Sequence, residues 1–395
     1  MQRMDTQSNG EAHILALPPE LLEIIAGYTH VSDLLALRQT CRDFAGASLR
    51  AYIEAHFVTK TFTLSSRASM EHLLALSQHP VYCKSVMKLH LSTRALISAE
   101  CDLHARRRLF SKDRRTLSRA QRAAIRDERQ THQGLSDDFS LYASSGTDVC
   151  VLTEVLRNFA NAGNAISLHV SDLNWSKPHM QRPIGHGDLA RKLGHNKCFR
   201  FFGSIDWYSK ALRAIFDAEV KLRSLIMGEY VSGVPLSIFH IRCGDVSAAI
   251  QFFSRLRKLD LTLNAPERDS EEAMSGVLSN AAISLSILLR WAEKIDRLIL
   301  RFVDEGFCRS DIRLFSLIAE QHTFPALYEL HLTGHVVEPE ALMSFIDRHS
   351  HTLRSLHLQN VQAEPRVACP DFGDRLRRDI LHADAAINML HVYTV

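Results

Sequence analysis

Leu256-Arg257-Lys258-Leu259-Asp260-Leu261 is the stretch on which the fold turns. Its second half alternates apolar and polar residues, the period of a strand with one face buried. The same phrase, or a near variant, returns at Val86-Met87-Lys88-Leu89-His90-Leu91, Ile166-Ser167-Leu168-His169-Val170 and Leu222-Arg223-Ser224-Leu225-Ile226. It returns again at Ile295-Asp296-Arg297-Leu298-Ile299-Leu300, Leu327-Tyr328-Glu329-Leu330-His331-Leu332 and Leu353-Arg354-Ser355-Leu356-His357-Leu358. Seven copies of one phrase predict seven strands built alike.

The middle leucines stand at 89, 168, 225, 259, 298, 330 and 356, so the last four steps are 34, 39, 32 and 26 residues. Each step has room for one strand and one helix. Helical spacing appears between the later strands at Ala248 to Phe253, Ala281 to Ala292, Ile312 to Ala319 and Pro339 to Arg348. A strand-helix unit of this size cannot bury its apolar face alone, so neighbours must stack into a continuous core. The pattern resembles irregular leucine-rich repeats, with Asn264 and Asn360 as partial matches to the family's residue after the Leu-x-Leu core. An ordinary parallel α/β sheet would show the same alternation. The growing regularity toward the C-terminus favours the repeat array.

Upstream, Lys60 to Leu64 alternates as a strand and Met70 to Leu76 has helical spacing, which with Val86 to Leu91 predicts a strand-helix-strand unit over 58–100. Residues 14 to 57 predict three short helices. Pro18 and Pro19 suit a first helical turn, where the missing N–H had no partner anyway. Leu21, Leu22, Ile25 and Tyr28 follow at helical steps, with Thr29 and His30 stopping the helix. Ser32 is the expected cap of the next helix, on which Leu34, Leu37 and Cys41 recur while Arg38 and Arg42 point elsewhere. A third segment carries Phe44, Leu49, Ile53 and Phe57. So small a bundle has more apolar side chains than it can hide, which implies a partner.

The string Leu17-Pro18-Pro19-Glu20-Leu21-Leu22-Glu23-Ile24-Ile25, followed by Asp33 to Phe44 as DLLALRQTCRDF, resembles an F-box. That family docks on the small adaptor of cullin-based ubiquitin ligases. The resemblance implies an adaptor-facing surface of Leu17, Pro18, Ile25, Leu34, Leu37, Arg38, Cys41 and Phe44. With the repeats behind it, the chain is similar to F-box proteins of filamentous fungi. The expected fold is α/β, a three-helix F-box followed by an irregular leucine-rich-repeat-like strand-helix solenoid. Its segments are the helical module at 12–57, the first unit at 58–100, a basic insertion or linker at 101–146 and the substrate-binding repeats at 147–395. A hairpin that merely caps the next domain would bury Leu34, Leu37 and Phe44, whereas a docking module would leave several of them open.

Length and composition fit this division. The chain has 395 residues, 46% hydrophobic and 23% charged, enough for two or three units. Its formal charge of +3 creates no field that would draw the whole molecule to nucleic acid or an anionic membrane. Eight cysteines without a CxxC pair give neither a disulfide framework nor a zinc knuckle, so a reducing cytoplasmic or nuclear setting is expected. The apolar run Ala281 to Leu289 is half the ~18 residues of a membrane span.

Local features complete the reading. Ala105 to Gln130 holds ten arginines and lysines against three acids, which suits a solvated helix or loop and, less well, a nuclear address or phosphate-binding arm. Its single aromatic, Phe110, argues against base stacking. Cys101 and His104 have no second ligand pair nearby, and His349 and His351 form no helical metal pair. No phosphate loop, GxSxG or HExxH is present, and Gly185-His186-Gly187-Asp188 is too short a signal. Met180 to Phe202 is expected to be a long loop whose flanking aromatics Trp175, Phe199, Phe201, Phe202 and Trp207 anchor it to the core or, as the less favoured reading, recognise a partner. These features imply no catalytic, cofactor or metal site and no membrane partner. The function implied by the resemblance is that of a non-catalytic substrate receptor in an SCF-type ubiquitin ligase, binding the adaptor, through it the cullin, and a target protein. The alternatives are a repeat scaffold outside any ligase and a nucleic-acid binder using residues 105 to 130.

Overall fold

The computed structural model describes residues 14–93, 118–171, 184, 205–228, 233–239, 246–264, 271–303, 314–363, 378 and 389–393. The chain divides into two compact units, Met1–Thr59 and Lys60–Val395.

The first unit is helical. A 3-10 turn at Ile14–Ala16 precedes α1 (Pro19–Tyr28), α2 (Val31–Thr40), α3 (Arg42–Ala47) and α4 (Leu49–His56). Four helices stand where three were expected, because the last segment breaks at Ser48. Pro19 opens α1 as its composition predicts, and Thr29 ends it. The cap of α2 is His30 rather than Ser32: its side chain accepts from the Ser32 backbone N–H, and helix begins at Val31. The helices pack on one another through Leu22, Ala26, Leu34 and Phe44, the buried apolar residues described in this unit.

The second unit is mixed α/β. Nine strands lie side by side in chain order: β1 (Thr59–Thr63), β2 (Lys88–Ser92), β3 (Ile166–Ser171), β4 (Leu222–Met227), β5 (Lys258–Asn264), β6 (Arg297–Phe302), β7 (Glu329–Thr333), β8 (Ser355–Gln359) and β9 (Met389–Tyr393). Every pairing from β2 to β9 is parallel. The order never reverses, as a doubly wound sheet would require at its switch point.

Register explains the repeated phrase. Leu89, Leu168, Leu225, Leu259, Leu298, Leu330 and Leu356 are successive Cα partners, so the seven marked leucines form one column. All seven are fully buried. Leu390 extends the column in β9, an eighth copy reading Ile387-x-x-Leu390-x-Val392 that the leucine count passes over. Stacking leucine on leucine at the ~4.8 Å strand spacing removes each from water on both sides, which is why a single unit cannot fold alone.

Helices complete each crossover: α5 (Arg67–Gln78), α6 (Tyr82–Ser85), α7 (Arg119–Ser144), α8 (Thr147–Asn161), α9 (Ile205–Ala218), α10 (Val246–Phe253), α11 (Glu271–Leu289), α12 (Leu314–Gln321) and α13 (Pro339–Arg348). From α8 onward each packs on the next, and α5 packs on α8, so the layer follows the order of the strands. Their apolar sides and the leucine column make one core. The four helical candidates are all present, although α11 starts ten residues before the periodic stretch. The two-residue strand Val234–Pro235 adds to β5, and Gly228 and Gly233 allow the close approach. A Cβ on Gly228 would stand 2.4 Å from the Thr262 carbonyl oxygen, and its φ is +77°.

The three segments expected after residue 57 thus belong to one compact unit. Of the basic stretch, residues 119 to 130 lie in α7, begun by a Ser118 and Gln121 capping box. The end of α7 enters the core through Tyr142, with Phe139 and Ala143 packed against it. Residues 105 to 117, Cys101, His104 and nearly all of 180 to 202 lie outside the described residues. The exception, Ile184, bridges to Phe62, and its carbonyl accepts from the Ser69 hydroxyl at 2.6 Å. Trp207 is a core residue of α9, as an anchor should be.

Candidate functional site

The eight residues expected to face an adaptor fall into three groups. Leu17, Pro18 and Ile25 are exposed. Leu37, Arg38 and Cys41 are half-buried. Leu34 and Phe44 are shut inside the helical unit at 2% and 7% exposure. The expectation that several of Leu34, Leu37 and Phe44 stand open is therefore corrected, two being buried and the third half-buried, and the reason is geometric. Leu34 and Phe44 lie on the sides of α2 and α3 that meet the sister helices, so they form the small core instead of leaving it. Arg38 does not point away either. Its guanidinium donates to the Ala45 carbonyl at 2.7 Å and sits 4.6 Å from the centroid of the Tyr52 ring, tying α2 to α3 and α4.

What stays open is a stripe on α1. Leu21, Ile24, Ile25 and Tyr28 recur at helical spacing on one face, while Leu22 and Ala26 on the next face are buried. Leu21 is 44% and Ile24 54% exposed. Leu17 before the helix and Val31 and Leu35 on α2 add further exposed apolar residues. A helix apolar on two faces in so small a unit has one face that no described residue covers.

The second unit carries a different surface on the sheet face opposite the leucine column. By alternation the single residue inside Leu-x-Leu and the letter two before it project there, and the second letter of the phrase reaches the same wall where it lies outside the regular ladder, at Arg223, Arg257 and Asp296. The single positions form the row His90, His169, Ile226, Asp260, Ile299, His331, His357 and His391. The His357 and His391 rings stack with centroids 4.8 Å apart. Burial, then the Arg301 charge and the His357 neighbour, push His331 down to about 4. Burial, then His391, lowers His357 against the opposing pull of Glu329. His349, by contrast, is a core residue: Nε2 accepts from the Phe324 N–H at 2.9 Å and Nδ1 donates to the Phe345 carbonyl.

The paired positions gather charge. Lys88, Arg223, Arg257, Lys258 and Arg297 line a cavity of about 430 Å³, with Asp296 its one carboxylate. His90, Ser167, His169, Ser224 and Ile226 supply much of the rest. Arg223 reaches this wall through an irregularity. Ile166 pairs with Leu222 and Ser167 with Ser224, which leaves Arg223 as an extra residue in β4. Neighbouring acids hold some of the cations. Asp260 receives Arg301 at 2.7 Å and Lys258 at 3.7 Å, and Glu329 lies 3.7 Å from Arg297. Lys88, Arg223 and Arg257 have no ion pair among the described residues. Reading the leucines alone misses these residues. The signal was in the intervening letters, Arg-Ser, Arg-Lys and Asp-Arg in three consecutive copies.

No group of three His, Cys, Asp or Glu able to hold a metal occurs among the described residues. Nor is any helix among them long and apolar enough to cross a membrane. No family model matches this chain, and no curated protein matches it.

Proposed function

We propose that the chain is a substrate receptor of a cullin-based ubiquitin ligase, docking on the adaptor through its N-terminal helices and holding a target protein on its strand-helix repeats. The resemblance of residues 17 to 44 to an F-box and of the repeated phrase to leucine-rich repeats supplies the reading. The observation that carries it is the apolar stripe of α1, left open on a helix whose adjoining face already fills the unit's core. The contact is apolar at its centre, and its anchors are Leu21, Ile24, Ile25 and Tyr28 rather than Leu34 and Phe44. In this role the bond-forming chemistry belongs to other subunits, and this chain contributes proximity and orientation.

Capture of purified adaptor by the wild-type chain and by Leu21→Ala with Ile24→Ala tests the proposal. Anchors of this kind carry roughly 1 to 4 kcal/mol each. Loss of capture by the variant, with its helical content intact, is the expected result. Equal recovery by both proteins counts against adaptor docking at this face.

A further inference from the structure

We infer that the basic cavity on the sheet face across β2 to β6 is the seat of an acidic peptide segment, bound in extended form. This deepens the ligase reading by naming the chemistry of the target, and it rests on that reading only for the statement that the segment belongs to a target.

Charge comes first. Five cations and one carboxylate line the cavity, a balance of 5 − 1 = +4. Asp260 and Glu329 temper Lys258 and Arg297, yet Lys88, Arg223 and Arg257 have no ion pair among the described residues. Holding like charges this close costs free energy in the folded chain unless an anion arrives to offset it. Arg223 of β4 and Arg257, the residue before β5, are backbone neighbours, the Arg257 N–H donating to the Arg223 carbonyl at 3.2 Å, and both line the cavity, so both can act on the same carboxylate cluster. Arginine is suited to that task because its planar fork donates two hydrogen bonds to one carboxylate.

Size and lining select peptide over nucleic acid. Four strand spacings of ~4.8 Å separate β2 from β6, or ~19 Å, which an extended chain at ~3.3 Å per residue spans with about six residues. A cavity of about 430 Å³ takes side chains from such a segment but not a duplex. Its only rings are the imidazoles of His90 and His169, so the stacking platform that single-stranded nucleic acid uses is missing from the described lining. Ser167 and Ser224 add hydroxyls of the kind that complete carboxylate recognition.

Fluorescence polarisation on the full chain, without adaptor, tests the assignment with three probes: a six-residue Asp/Glu peptide, its Asn/Gln counterpart and a six-nucleotide single-stranded DNA. Arg223→Ser with Arg257→Ser removes two exposed cations of the wall. Lys84→Ser with Arg119→Ser removes the same charge from exposed positions outside it. The acidic peptide should bind at least tenfold more tightly than the neutral one and weaken as salt rises. The wall variant should lose tenfold or more of that affinity, the control variant less than twofold, with unchanged melting in both. Equal binding of acidic and neutral peptides, or equal losses in the two variants, overturns the proposal. So does tighter binding of the oligonucleotide through the same two arginines, which would make the wall a nucleic-acid surface. Adaptor capture by the wall variant is read separately, so a failed groove leaves adaptor docking standing and the reverse.

Discussion

Leu34 and Leu21 lie thirteen residues apart in the same motif, and their replacement by alanine should have opposite consequences. Leu34 is 2% exposed, held between α2 and its neighbours. Deleting a buried leucine side chain costs about 2 to 5 kcal/mol, the transfer loss plus the cavity left behind. At roughly 0.05 to 0.15 kcal/mol per residue, a unit of about 45 residues has some 2 to 7 kcal/mol to lose. Leu34→Ala should therefore melt most of the helical unit and abolish adaptor capture indirectly. Leu21 is nearly half exposed, so its truncation should cost under about 1 kcal/mol of folding, partly recovered by alanine's better helix propensity. Its loss should appear in capture alone. Circular dichroism melts of the isolated mutations in the full chain, run beside adaptor pull-down, separate the two effects. Full capture by a folded Leu21→Ala with Ile24→Ala, or an unchanged melt for Leu34→Ala, would show that inside and outside have been assigned the wrong way round.

Three further outcomes follow from the second unit. Leu298→Ala, in the middle of the buried leucine column, should lower its stability by about 3 kcal/mol, read from the urea midpoint. Gly228→Ala places a Cβ against the Thr262 carbonyl at positive φ, whereas Gly163→Ala meets open space at φ +73°. The second should cost about 1 kcal/mol and the first clearly more, and equal melting temperatures would contradict the close approach. His335 is buried, its Nε2 donates to the Leu300 carbonyl, and burial pushes it from 6.5 down to about 4. The unfolded chain then binds the proton that the folded chain refuses. Stability from this residue is intact above about pH 6.5 and falls toward pH 4, by about 3 kcal/mol at ~1.36 kcal/mol per unit. Urea titrations from pH 7 to 4.5 should show the decline, and His335→Gln should reduce it while leaving the share that His331 contributes in the same direction.

How far the sequence discloses all this depends on which signal each part uses. The strand positions are legible because the leucines obey one period and one register, and seven of them land on the same column. Helices were harder where the period faded: residues 271 to 280 contain Gly276 and several small polar residues, and nothing in them announces the first half of α11. Trp207, Tyr208, Ala211, Leu212 and Ile215 carry helical spacing for α9, but the run before them is rich in glycine and proline and has the composition of a loop. In the helical unit the periodic stripe identified apolar faces without saying which faced inward. Where a short helix is apolar on two sides, as α1 is at Leu21 and Leu22, that decision belongs to packing with α3 and α4 and not to the helix alone. The basic wall is not legible in chain order because its residues interleave with the leucines and belong to no motif until strands are laid side by side.

That interleaving has a bearing on how such a chain can change. Within each six-letter phrase, alternate letters answer to different demands: the leucines are answerable to the stack, the letters between them to whatever is recognised. A mutation at Arg257 leaves Leu256 and Leu259 where they were, and because β5 touches only the strands on either side and the short piece Val234–Pro235, its effect stays local. New specificities can be written one strand at a time, with the cohesion of the molecule held constant throughout.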